Sequence, residues 1–106
     1  MEFDVEGIKV AIKPAEEGKG YAVYLLFIEM PETQHHSFLM KRGDKIIAKG
    51  EIAKYLRDSK IEGLEMAVAP PADTNAVVMF RINTDYDILD EIAKLTVEFL
   101  KSKEFL

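Results

Sequence analysis

Eight apolar or aromatic residues in a row, Tyr21-Ala22-Val23-Tyr24-Leu25-Leu26-Phe27-Ile28, constrain the fold of this chain more than any other feature. The run is far shorter than the roughly 20 residues a helix needs to cross a bilayer. It is bounded by Gly18 and Gly20 on one side and Pro31 on the other. Aromatic and β-branched residues at this density, between such punctuation, read as a strand. No polar residue alternates within it, so both faces need cover, which places it at the centre of a sheet or at an interface.

The flanking segments supply the rest of a sheet. Phe3 to Lys13 alternates, with an odd phase through Phe3 and Val5 and an even phase through Ile8, Val10 and Ile12. A one-residue slip sends side chains to the wrong face, and a β-bulge at Gly7 within a single strand is expected to absorb it. Residues 14–20 have the composition of a loop, with one proline and two glycines. Leu64 to Ala69 and Ala76 to Ile82 read as strands separated by the loop Pro70–Asn75. Between Ser37 and Gly50, the turn Arg42-Gly43-Asp44-Lys45 suits a short hairpin ending near Ala48. A longer helix beginning near Lys45 is the rival, weakened by Gly50, which costs about 1 kcal/mol inside a helix.

Two helices complete the pattern. The first is expected from about Glu51 to Lys60, closed by Gly63. The second is the clearest element: Ile88, Leu89, Ile92, Leu95, Thr96, Phe99 and Leu100 fall on one stripe of the 3.6-residue period. Asp87, Asp90, Glu91, Lys94, Glu98 and Lys101 fall opposite, and Asn83, Thr84 or Asp85 is expected to cap the start. The sum is an α+β fold, a single domain over residues 1–106: a mainly antiparallel sheet of about four to six strands with two helices packed on one face, in the order ββ(ββ)αββα.

Composition narrows the setting. With 106 residues, 48% hydrophobic and 31% charged, the chain has enough apolar material for a core. The absence of cysteine excludes disulfides and thiolate metal sites and favours a reducing compartment. Met1 to Glu6 is acidic and alternating, unlike the basic start and apolar run of a signal peptide, so a cytoplasmic location is expected. Lysine and glutamate dominate the charged residues, and Gln34, Asn75 and Asn83 are the only side-chain amides, a hyperthermophile tendency.

Three groups of residues carry functional readings. His35 and His36 follow Glu29 and Glu32, and imidazole with carboxylate is a zinc or manganese donor set. Adjacent histidines on extended chain point apart, and Pro31 removes a helical Glu-x-x-His pair, so a solvated loop is the preferred reading of that stretch. Residues 41–60 hold seven basic residues against three acidic ones in a chain of net charge −5. Lys41, Arg42, Lys45, Lys49, Lys54 and Arg57 are therefore the candidate nucleic-acid contacts. Only Tyr55 is at hand to stack on a base, and the acidic chain as a whole opposes a polyanion.

Gly18-Lys19-Gly20 lacks the hydroxyl and the following helix of a phosphate loop. The carboxylates Asp85, Asp87, Asp90 and Glu91 suit a helix N-terminus without any acid–base chemistry. No catalytic constellation is visible and no cofactor is expected.

The third group is the apolar excess itself. The strands offer more two-sided hydrophobic surface than one helix-covered face consumes, and surface of that kind marks an interface. The leading expectation is a non-catalytic interaction module that forms a two-fold homodimer through sheet surface or edge. Tyr24, Leu26, Ile28, Phe38 and Met40 are the residues expected in that interface.

Overall fold

The change of phase near Gly7 is a hairpin, not a bulge. In the computed structural model, which describes residues 1–29, 49–71, 73–104 and 106, strand β1 (Glu2–Val5) turns back directly onto β2 (Ile8–Glu17). Val5 faces Ile8 in the register, so only Glu6 and Gly7 form the turn. Their φ angles are 53° and 84°, the left-handed pair a two-residue hairpin requires. The Gly7 N–H donates to Asp4 Oδ1 at 3.0 Å. A hairpin of this kind converts an odd phase into an even one with no residue to spare. Pairing runs on to the first residue: the Met1 ammonium donates to the Ile12 carbonyl, and the Ile12 N–H donates to Met1 O, both at 2.8 Å.

Residues 14–17, expected in a loop, are strand instead. β2 continues past Pro14 to Glu17 through a shift of register between Pro14 and Glu16. Pairing on this side of β2 ends at Ile12, opposite Met1, which leaves Pro14 at an open margin where its missing N–H costs no ladder bond. Strand β3 (Tyr21–Ile28) then pairs antiparallel with β2 on one side and with β5 (Val78–Asn83) on the other. β4 (Leu64–Val68) completes the far edge, giving an antiparallel five-stranded sheet in the order β1-β2-β3-β5-β4. The hairpin expected around residues 42–45 lies outside the described residues.

Helix α1 (Lys49–Asp58) takes Gly50 into its first turn and buries Ile52, Ala53 and Leu56. Helix α2 (Leu89–Ser102) buries Leu89, Ile92, Ala93, Thr96, Val97, Phe99 and Leu100, close to the stripe read from the sequence. The expected caps are not used. Ile88 stands at the N-cap with no side-chain bond, and Asn83 Oδ1 accepts from the Asp85 N–H at 2.9 Å within the preceding turn. Asp90 and Glu91 in the first turn complement the dipole in its place.

Both helices pack on one side of the sheet. The register places Val10 opposite Ile28, Ile12 opposite Leu26, and Leu26 opposite Val78, so the even positions of three central strands share that side. Val10, Ile12, Leu26, Ile28, Val78, Phe80 and Ile82 join Ile52, Leu56, Ile92, Val97 and Leu100 in one core cluster. Each large aliphatic or aromatic side chain taken wholly from water contributes about 1.5–3 kcal/mol. No helix among the described residues is long and apolar enough to cross a membrane.

Candidate functional site: the sheet face opposite the helices

If even positions face the helices, odd positions face away. On β3 these are Tyr21, Val23, Leu25 and Phe27. Cross-strand neighbours extend the row: Ala11 beside Phe27, Met79 beside Leu25, then Val68 and Met66 on β4. Val23 is buried, and Ala11, Leu25, Phe27, Met66, Val68 and Met79 are half-buried. No described helix packs there. The result is a continuous apolar row across four strands, rich in the methionine and aromatic residues that interface cores favour.

Charged groups border this row and lean onto its rings. Lys13 Nζ stands 5.3 Å from the centre of the Phe27 ring, and the Arg81 guanidinium stands 4.0 Å from that of Tyr21. Such contacts hold a cation against an aromatic face while leaving its head near water. Arg81 Nε also donates to Glu65 Oε1 at 3.1 Å, and the Tyr21 hydroxyl donates to Glu16 Oε1 at 3.1 Å. At the β1 end the small side chain of Ala11 leaves a hollow of about 330 Å³. Glu2, Asp4, Lys9, Phe27 and Glu29 stand around it.

The edges of the sheet are short or interrupted, which disfavours the addition of a further strand. Arg57 of α1 donates to the backbone carbonyl of Ala67 on edge strand β4. In the ladder, the Asn83 N–H donates to Gly63 O, so residue pairs alternate from there and, past the register shift at Glu65, turn the groups of Ala67 outward. A bulge and a covering cation are recognised ways of protecting an edge. At the other edge β1 is four residues long, and β2 beyond it carries Pro14 and a second register shift.

Reading β3 by itself selects the wrong phase for this surface. Leu26 and Ile28 are core residues beneath the helices, and Tyr24 stacks on Phe80 with ring centres 5.7 Å apart. Phe38 and Met40 lie outside the described residues. The two phases of β3 are equally apolar, so β3 alone gives no signal. Its neighbours do: Lys9 and Lys13 on β2, and Arg81 and Asn83 on β5, all occupy odd positions. Pairing even with even then turns Val23, Leu25 and Phe27 toward the polar phase.

No family model matches this chain, nor does any curated protein or solved structure. The remaining candidates rest on geometry alone. His35 and His36 lie outside the described residues, and the described residues hold no group of three or more histidines or carboxylates placed to share a metal ion. Of the basic set, Lys41, Arg42 and Lys45 are also outside, and Lys49 opens α1. Lys54 is exposed beside Glu51 and Asp58 at a shallow groove over the stacked pair Tyr55 and Phe99, whereas the guanidinium of Arg57 is engaged at Ala67. The exposed phenol of Tyr86 is held above its ordinary pKa by the negative charge of Glu62, to whose Oε1 its hydroxyl donates at 3.2 Å.

Proposed function

We propose that this chain is a non-catalytic interaction module that works in the cytoplasm as a homodimer, joined through the sheet face opposite its helices. The observation that carries this reading is the apolar row Ala11, Val23, Leu25, Phe27, Met79, Met66 and Val68, over which no described helix packs. A row of this extent is costly to leave in water, at about 25 cal/mol for each Å² of apolar surface. The protected edges favour face over edge as the place of contact, and two-fold pairing is the commonest way for a chain to cover its own surface.

Sedimentation equilibrium across a concentration series tests the reading. The wild-type chain is expected to approach twice the 12.0 kDa of one copy. Leu25→Glu, which places a charge in the middle of the row, is expected to sediment as a folded monomer with an unchanged circular dichroism spectrum. A wild-type chain that stays at one copy through millimolar concentration defeats the proposal.

A further inference from the structure

Resting on the dimer reading above, we propose that the hollow over Ala11 is the socket for Lys13 of the second copy, and that this reciprocal pair sets the register of the two sheets. The hollow lies on the open face, between β1 and β3, where Ala11 is too short to fill the space beside Phe27. Three carboxylates, Glu2, Asp4 and Glu29, stand around it against one lysine, Lys9. The cavity therefore favours a positively charged occupant with an apolar stem. Lys13 has that chemistry, and it is exposed on the same face one step along the same strand.

Symmetry joins these two observations. In a face-to-face dimer the two-fold axis lies between the sheets. An axis crossing β2 midway between Ala11 and Lys13 exchanges those two positions, so each Lys13 comes to lie over the other copy's Ala11. Because Ala11 is paired with Phe27 and Lys13 with Leu25, the same axis sets Leu25 over Phe27 of the second copy. Glu2, paired with Ala11 on β1, then stands beside the incoming ammonium. Around the axis, one operation thus matches Leu25 with Phe27 and Lys13 with the hollow, twice over, while Val23 comes to lie over Glu29 at the margin of the contact. Complementary charge at an interface fixes register and rejects wrong partners, and like charges brought together there are strongly unfavourable.

Two single charge reversals and their mixture provide the test, read by sedimentation equilibrium with circular dichroism as the check on folding. Lys13→Glu alone sets a carboxylate into the acidic hollow, and Glu2→Lys alone sets an ammonium against Lys13. Each is expected to weaken self-association at least about tenfold. Mixed in equal amounts, the two variants are expected to form a heterodimer of near wild-type affinity, because the carboxylate introduced by K13E in one chain then meets the ammonium introduced by E2K in the other. A merely intramolecular role for either residue gives no recovery on mixing. If the wild type dimerises and either reversal leaves its affinity unchanged, or if mixing restores nothing, the socket is wrong while the dimer stands. If the wild type is monomeric at all concentrations, both readings fall together.

Discussion

At the residue scale, Gly7 and Gly63 are both held at positive φ, and Gly63 also ties together distant parts of the chain. Gly7 serves the β1–β2 turn with φ at 84°. Gly63 has φ at 95°, and a Cβ placed on it would lie 2.6 Å from the Tyr86 side chain. Its carbonyl also accepts the Asn83 N–H at 2.8 Å, so the Tyr86 ring covers the point where β4 begins to pair with β5. Gly63→Ala therefore meets both a backbone penalty and a steric one, and is expected to cost about 1–3 kcal/mol of stability in urea unfolding. The sequence marks Gly63 only as the end of a helix. Its contact with Tyr86, far along the chain, is not legible there because nothing in local pattern reports a through-space approach. Thr96 is the buried polar residue among the described ones, and its hydroxyl is satisfied by the Ile92 carbonyl at 2.7 Å within α2.

At the scale of elements, period decides what is readable. The 3.6-residue stripe of α2 and the strand character of β3, β4 and β5 follow from hydrophobic spacing, and the structure has them. What spacing misses is turn chemistry and phase. Glu6-Gly7 is a weaker turn signal than Asn-Gly, yet a two-residue loop with positive φ at both positions is enough to divide one alternating stretch into β1 and β2. Pro14 suggests a loop, but an open strand margin tolerates it. The phase of β3 depends on its neighbours, which single-segment reading ignores. A paired comparison on β3 measures this directly. Leu26→Ala, in the core with no exposure, is expected to cost about 2–5 kcal/mol. Leu25→Ala, one residue away on the opposite face, is expected to cost the monomer markedly less, and the difference is read as the gap between their urea midpoints at low protein concentration.

At the scale of the whole molecule, the two described helices roof one side of the five-stranded sheet, and among the described residues no helix packs on the apolar row of the other side. Strands spaced about 4.8 Å apart and an eight-residue β3 give that side a flat footprint of about 500 Å². Stable complexes bury about 600–1,000 Å² on each partner. The footprint falls just short of that range, so the proposed dimer is expected to be reversible and concentration-dependent. The apolar excess is legible from the sequence as a quantity. Its address is not, because the distribution of the excess between two faces is a property of register.

The most direct measurement is an isotope-filtered nuclear Overhauser experiment on a mixture of labelled and unlabelled chains, which detects contacts between different copies alone. A face-to-face dimer is expected to give cross-peaks linking Leu25, Phe27 and Met79 of one copy to the same row of the other. Cross-peaks confined to β4 or β1, or none at concentrations where the chain sediments as a dimer, would contradict it.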